Sequence, residues 1–247
     1  MSAPRVTLLC LPCAGASAVM YLRWRRLLPA WVRLLPVELP GRGTRLGEPL
    51  QTAFEPLVAQ LCDELCAHEP ATLSGRFALF GHSMGGLLAW GLAQRLRMLQ
   101  RPLPALLFVA ACPAPTQRDP RRYADHDTDA RLIADLRAQG GTPDELFDSP
   151  ELLHLTLQTL RADYRVCASV PDGPHAPLPC PIHAYGGRQD AIAASRIAAW
   201  RREARSLFSL TWLDGGHFFI RQSEAALLAA LRGELEALRL EEPAWTT

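Results

Sequence analysis

The chain has 247 residues, and 49% of them are hydrophobic, which is enough for one substantial α/β core. All basic residues are arginine and the formal net charge is +1, so no global positive field attracts nucleic acid. No apolar run approaches the ~20 residues of a membrane span, and the run at residues 6–11 is shorter than the ~7–15 residues of a signal-peptide core. These properties predict a globular protein with no export signal and no nucleic-acid or membrane partner.

The seven cysteines are odd in number and scattered through mostly apolar segments. This usage favours reduced, buried thiols and a cytoplasmic protein. Cys62 and Cys66 have the i, i+4 spacing of a possible metal pair, but no second pair of ligands is spaced to complete a site. We therefore expect no metal and no cofactor.

Short apolar runs followed by small residues or prolines predict six strands in a strand–helix alternation. Such an alternation is typical of a doubly wound, mainly parallel sheet, and we expect one domain over residues 1–247. The predicted strands lie at residues 6–11, 34–39, 77–82, 105–111, 182–185 and 210–213.

Apolar residues at helical spacing predict helices at residues 21–28, 54–67, 195–204 and 224–240, and a buried helix from Leu87. Between residues 116 and 179 the alternation stops, and polar, proline-punctuated sequence contains helical patterns at 129–138 and 150–164. We interpret this segment as an inserted helical lid with few core contacts, mobile enough to gate the site.

The most informative stretch is Gly81-His82-Ser83-Met84-Gly85. An apolar run precedes it and a buried-helix pattern follows it, so it predicts a sharp strand-to-helix turn that presents the Ser83 hydroxyl at the edge of the sheet. Gly-x-Ser-x-Gly also occurs by chance in loops, but a strand before it and a helix after it make chance a poor explanation. His82 should point away from the opening, which favours a packing role.

A serine hydroxyl needs a base, and the base needs an orienting acid. Asp190 follows the fifth predicted strand and His217 the sixth, and the chain order Ser, Asp, His is that of an α/β-hydrolase. Asp214 is the rival acid, but it lies only three residues before His217. We predict that the backbone N–H groups of Met84 and Ala14 form the oxyanion hole.

Arg42 and Arg45 lie in the loop after the second predicted strand. They could bind an anion there, although solvated loop charges are the commoner outcome. We expect the second.

With these residues located, the chain resembles the type II thioesterases of nonribosomal peptide and polyketide synthesis. These are stand-alone α/β-hydrolases that clear wrong acyl groups from carrier proteins. Cys13 and Ala16 depart from the pattern and bear on the shape of the acyl pocket. The resemblance runs through residues 11–17, Glu38-Leu39-Pro40-Gly41-Arg42-Gly43-Thr44-Arg45, residues 81–86, Leu160-Arg161-Ala162-Asp163-Tyr164, residues 186–190 and Gly215-Gly216-His217-Phe218-Phe219.

The resemblance implies that Ser83, Asp190 and His217 are the triad and that Ala14 and Met84 form the oxyanion hole. It also implies acyl-loaded carrier proteins as partners, with the phosphopantetheine on the substrate rather than on the enzyme. The sequence does not identify the pathway; the resemblance suggests siderophore or antibiotic synthesis, and pyochelin synthesis is one guess. We expect a monomer.

Two alternatives stay open at this stage. One is a carboxylesterase or short-chain lipase with the same triad, and the other is a non-catalytic carrier- or ligand-binding protein on a hydrolase scaffold. Carrier proteins of this family are acidic. Because the net charge of this chain is only +1, any electrostatic attraction between them must come from a local basic patch. The candidates for carrier docking are Arg118, Arg121 and Arg122, with Arg161 and Arg165 second.

Overall fold

The computed structural model describes residues 6–119, 121–124, 128–173 and 175–240. Its centre is a six-stranded sheet whose neighbouring strands are all parallel, in the spatial order second, first, third, fourth, fifth, sixth. This confirms the predicted doubly wound α/β architecture. The strands are β1 (Val6–Leu11), β2 (Val32–Pro36), β3 (Arg76–His82), β4 (Leu106–Ala110), β5 (Ile182–Gly187) and β6 (Phe208–Leu213).

The four inner strands, β1, β3, β4 and β5, are buried along nearly their whole length because both faces of the sheet are covered. In β1, Leu9 and Leu11 pack into the cluster on one face, whereas Leu8 and Cys10 pack into the cluster on the other. The edge strand β2 ends earlier than predicted, at Pro36. A proline has no N–H to donate to a sheet, so it suits the end of an edge strand.

Helices cover the two faces. The predicted helices at 21–28 and 195–204 are each part 3₁₀-helix and part α-helix, which apolar spacing cannot separate because the two periods are close. None of the described helices combines the length and the apolarity that crossing a bilayer requires. The helices are α1 (Trp24–Leu27), α2 (Phe54–His68), α3 (Pro70–Ser74), α4 (Met84–Met98), α5 (Arg121–Ala124), α6 (Asp129–Gln139), α7 (Asp144–Phe147), α8 (Pro150–Ala168), α9 (Ala194–Ala198), α10 (Phe219–Gln222) and α11 (Glu224–Leu240).

The topology fixes where chemistry can occur. The chain passes from β1 outward to β2 and then returns to β3 on the other side of β1, so β1 and β3 flank the point where the winding reverses. Loops that follow neighbouring strands diverge at such a point and leave a crevice at the carboxyl edge of the sheet. The loops after β1 and β3 carry Ala14 and Ser83, respectively.

The segment between β4 and β5 contains α5, α6, α7 and α8, but it is not uniformly detached from the core as predicted. Val166 and Cys167 of α8, with Val170 and Leu178 after it, belong to the main core cluster. Helix α8 is amphipathic, and its apolar face is buried against α2 and α4. The expectation of few core contacts is therefore wrong for the second half of the segment.

We predict a division of mobility within this segment. Only Leu132 is buried in the eleven residues of α6, whereas seven residues of α8 are buried. Few buried contacts permit local opening at low free-energy cost, so the amides of α6 should exchange with deuterium at least ~10-fold faster than those of residues 160–167. Hydrogen exchange read by mass spectrometry measures both. Equal rates would remove the distinction between a movable part and a fixed part.

Candidate active site

Ser83 lies on a strained turn between β3 and α4. Its backbone has φ 54° and ψ −118°, a combination that is rare for a residue with a Cβ. The glycines on either side are required by close packing: a Cβ on Gly81 would lie 2.0 Å from the carbonyl oxygen of Gly85, and a Cβ on Gly85 would lie 2.1 Å from that of Leu11. The turn therefore brings the serine against the end of β1.

The structure brings Ser83, His217 and Asp190 together in one line. His217 Nε2 lies 3.0 Å from Ser83 Oγ, and His217 Nδ1 lies 3.0 Å from Asp190 Oδ2. An ionised carboxylate only accepts hydrogen bonds, so Nδ1 carries the proton and Nε2 is free to accept one from the serine hydroxyl. This is the arrangement of a nucleophile, a base and an orienting acid.

The environment separates the two acids considered from sequence. The Asp190 side chain is only 3% exposed, and its Oδ1 accepts a hydrogen bond from the N–H of Ile192 at 3.2 Å. The Asp214 side chain is 84% exposed and pairs with Arg188. A buried acid held by two hydrogen bonds keeps a fixed direction, so Asp190 is the partner of the histidine.

Two backbone N–H groups were predicted to bind the oxyanion. Met84 is the first residue of α4, so its N–H points out of the helix N-terminus, where negative charge is stabilised. Ala14 lines the same cavity as Ser83 and His217. The geometry is compatible with both assignments, which remain predictions.

The cavity beside Ser83 has a volume of about 30 Å³. That is room for about one water molecule. The chain between β4 and β5 closes it from above, through the residues of α5, α6 and α8. The lining residues from that side are Arg122, Tyr123, Leu136, Gln139, Gly140, Leu160, Tyr164 and Cys167.

Cys13 also lines the cavity, and it is buried. Burial raises the pKa of the Cys13 thiol to about 12, with Arg221 and Arg42 opposing the shift only in part. A thiol is nucleophilic only when it is deprotonated, so Cys13 does not compete with Ser83 at neutral pH. Its contribution is to the shape of the cavity.

His82 is fully buried, and its ring lies 5.4 Å from the ring of His217 and 5.5 Å from that of Phe218. Burial lowers the pKa of His82, and the neighbouring His217 and Arg221 lower it further. The ring is therefore neutral and packs behind the triad, which agrees with the packing interpretation.

Arg42 and Arg45 are not solvated loop charges, so that expectation is wrong. Arg42 is 7% exposed and binds Asp163 through both of its terminal nitrogens. Arg45 is held between Glu48 and Glu64. Each guanidinium is paired with carboxylates. Asp163 and Glu64 are distant from these arginines in the sequence, so local sequence could not indicate the pairing, whereas Glu48 is close to Arg45.

A family model described as "Thioesterase domain" matches residues 6–235. The chain belongs to the thioesterase family. Its members hydrolyse thioesters, and this chain is such a hydrolase. Both the resemblance seen from sequence and the α/β-hydrolase fold are thereby confirmed.

Similar proteins come from the synthesis of peptide and polyketide products. The thioesterase is 36% identical over 228 residues to the linear gramicidin dehydrogenase LgrE of Brevibacillus parabrevis, covering 91% of this chain and 85% of LgrE. RedJ, a thioesterase from the prodiginine pathway of Streptomyces coelicolor, has a TM-score of 0.85 and 35% identity, covering 94% of this chain and 91% of RedJ. The type II thioesterase BorB from the borrelidin cluster has a TM-score of 0.80 and 34% identity, covering 96% and 93%.

The name of LgrE describes a dehydrogenase, but the sequence of this thioesterase contains no Gly-x-Gly-x-x-Gly dinucleotide motif. Its cavity contains a nucleophile and a base, which suit hydrolysis. In the described part of the chain, no three His, Cys, Asp or Glu side chains are grouped to hold a metal ion.

Sequence reasoning missed the residues that hold the His217 loop of the thioesterase. Gln189 Oε1 accepts a hydrogen bond from the N–H of Gly215, and Gln222 Oε1 accepts one from the N–H of Gly216 at 2.9 Å. Gln189 stands directly before Asp190, so the same loop orients the ring and anchors the turn that carries it. A glutamine in a loop has no pattern that would have marked it.

The first test of the site compares the two acids. Asp190→Asn should lower kcat for thioester hydrolysis by roughly 10³–10⁴, because an amide in that position favours the wrong tautomer of His217. Asp214→Asn should stay within twofold of the wild type, since its exposed pair with Arg188 contributes little. Steady-state kinetics on both variants decides the matter, and the reverse pattern would make Asp214 the acid.

Proposed function

We propose that this thioesterase releases aberrant or stalled acyl groups from the phosphopantetheine arm of carrier proteins in nonribosomal peptide or polyketide synthesis. One observation supports it above the others: an intact Ser83–His217–Asp190 array lies in a chain whose relatives include YbtT, a type II thioesterase from the yersiniabactin NRPS/PKS pathway. The complete array argues against a non-catalytic scaffold.

The first half-reaction forms an acyl-serine. His217 Nε2 accepts the proton of Ser83 as its oxygen attacks the thioester carbonyl, while Asp190 stabilises the imidazolium that forms. The N–H groups of Met84 and Ala14 would stabilise the oxyanion. Pantetheine leaves as a thiol, taking the proton from His217. A thiolate is a good leaving group because thiols are much more acidic than alcohols, with a pKa of about 8.5 for the cysteine side chain, so this step needs little help from an acid.

The second half-reaction releases the product. A water molecule takes the place of the departing thiol, and His217 removes its proton as it attacks the acyl-serine carbonyl. The tetrahedral intermediate uses the same two N–H groups and then collapses, so that the acid leaves and Ser83 recovers its proton. The two half-reactions need no cofactor beyond the phosphopantetheine that the substrate itself carries.

The closed cavity requires an opening step before this chemistry. A pocket that buries a drug-sized ligand has a volume of roughly 300–1,000 Å³, at least ten times the 30 Å³ found here. The residues best able to move are those of α6 and α7, since Tyr123 of α5 and the second half of α8 pack against the core. We propose that α6 and α7 form the lid, within the predicted insertion at 116–179.

Serine catalysis of thioester hydrolysis is tested by removing the nucleophile or the base. Ser83→Ala and His217→Ala should each lower kcat by about 10⁴ or more while circular dichroism stays unchanged, because the two act as one proton-transfer unit. A fluorophosphonate should label the wild type and not Ser83→Ala.

The matching substrate comparison uses an acyl-pantetheine thioester and a p-nitrophenyl ester with the same acyl group. A higher kcat/KM for the thioester is expected. A strong preference for the ester would favour a carboxylesterase with the same triad.

The structure corrects the set of arginines proposed for carrier docking. The Arg118 side chain is only 3% exposed and donates to the carbonyl oxygens of Cys167 and Val170, so it fastens α8 and is not free to meet a partner. The side chain of Arg121 lies outside the described part of the chain. Arg161 pairs with Asp129 at 2.5 Å.

Arg122 is the strongest remaining candidate. It is half-buried, its guanidinium lies 5.8 Å from the centre of the Tyr123 ring, and it lines the catalytic cavity. A cation at this position is close to where the arm of an acidic carrier would enter. We therefore propose that Arg122 attracts the carrier and its phosphopantetheine phosphate.

The prediction for Arg122 is a selective loss. Arg122→Ala should lower kcat/KM for an acyl-carrier protein by roughly 10-fold, whereas a small acyl thioester without phosphate should lose less than about threefold. Raising the salt concentration should mimic the variant for the carrier substrate only, since exposed charges are screened.

A matched control for this prediction is Arg201→Ala. Arg201 donates to the carbonyl oxygen of Ser206 in an exposed contact near the start of β6, at the edge of the sheet opposite to the catalytic cavity. It should leave both substrates unchanged. Equal losses on both substrates in Arg122→Ala would return the docking surface to the open questions.

A further inference from the structure

Two sequence motifs far apart in the chain meet behind the loop that carries Ala14. Arg42 comes from the loop after β2, and Asp163 comes from α8. Arg42 Nη1 and Nη2 lie 2.5 and 2.7 Å from the two oxygens of Asp163, so the pair is bidentate. Asp163 is fully buried and Arg42 nearly so. The proposed catalytic steps use neither residue.

The ion pair holds the backbone of the Ala14 loop at two points, directly after Ala14. The N–H of Gly15 donates to Asp163 Oδ2 at 2.8 Å, and Arg42 Nη1 donates to the carbonyl oxygen of Ala16 at 3.3 Å. A further bond from the N–H of Ala16 to the carbonyl oxygen of Cys13, 3.1 Å long, closes the turn. Every peptide unit from residue 13 to residue 16 therefore has a fixed plane or a fixed end.

These contacts determine the direction of the neighbouring N–H of Ala14. Gly15 has φ +74°, a left-handed conformation that favours glycine, and in this conformation its N–H donates to Asp163. The N–H of Ala14 belongs to the same peptide unit as the carbonyl oxygen of Cys13, which is held by Ala16, so its direction is restricted. Ala14 itself lines the catalytic cavity. An oxyanion donor is effective only when it is aimed before the reaction begins.

We propose that the Arg42–Asp163 ion pair is the positioning device of the oxyanion hole, and that α8 is its fixed support. This rests on the proposed role of Ala14 in the reaction. Neither side chain touches the substrate; they act through the backbone of residues 13–16. The same helix thus lines the cavity through Leu160 and Tyr164 and, through Asp163, holds the loop that carries Ala14.

A buried ion pair also affects folding, so the experiment has to separate positioning from stability. Asp163→Leu removes the acceptor of the Gly15 N–H and leaves a buried arginine charge without its partner. The double variant Arg42→Met/Asp163→Leu removes both charges, and replacing a buried pair by apolar side chains of similar volume is often neutral for stability. Asp163→Asn keeps an oxygen that can still accept from Gly15.

The measurements are kcat, KM, the melting temperature and the inhibition constant of a trifluoromethyl ketone analogue, which forms a tetrahedral adduct with the serine. The double variant should melt near the wild type, yet its kcat should fall about 100-fold, the usual result of losing one oxyanion donor. Its KM should stay within threefold, and the ketone should bind about 100-fold more weakly. The kcat and the ketone affinity of Asp163→Asn should lie between those of the double variant and those of the wild type.

The matched control is Arg33→Met, which breaks the bidentate pair of Arg33 with Glu69 between β2 and α3, remote from the cavity. It should leave kcat and ketone binding unchanged. A folded double variant with wild-type kcat, or a loss confined to KM, would overturn the proposal. The ratio of variant kcat to wild-type kcat is measured with both a thioester and p-nitrophenyl acetate. A wrong substrate class changes which substrate is preferred, whereas a wrong positioning role leaves the ratio near one for both substrates.

Discussion

The close approach of α4 to the end of β1 is the constraint on which the site depends. No side chain fits at Gly85, where the backbone of the turn lies against the carbonyl oxygens of Leu11 and Pro12. Because the two backbones touch, the loop after β1 and the serine after β3 share one small volume at the reversal point of the sheet. The nucleophile Ser83 and the loop that carries Ala14, the proposed second oxyanion donor, become neighbours as a result of packing, before any side-chain chemistry is considered.

The segment between β4 and β5 combines two physical regimes. Helices α6 and α7 present few apolar groups to the core, and the free-energy cost of moving them is small. The second half of α8 is buried on one face, carries Asp163 into the interior and is fastened by Arg118. In the proposed mechanism, access and alignment belong to different parts of one insertion, so that the cavity opens without disturbing the loop that carries Ala14.

Burial sets the charge state of the groups around the triad. The thiols of Cys13 and Cys167 are protonated, since burial raises the pKa of each to about 12, and His82 is neutral. Arg42 and Arg118 could be surface charges by sequence, but both bind partners inside the protein. A net charge of +1 therefore says little about the surface that a carrier protein would meet.

The sequence by itself determined the strand–helix alternation, the Ser83 turn and the order of the triad residues, because hydrophobic periodicity and the glycines of a sharp turn are local signals. It also contained the motifs around Arg42 and Asp163, but without their meaning. Only the tertiary structure decided that these two residues pair, that Asp190 and not Asp214 reaches His217, and that Arg118 is internal. Each of these depends on contacts between residues that are distant in the chain, and whether a charge is paired or solvated is decided by the element that packs against it.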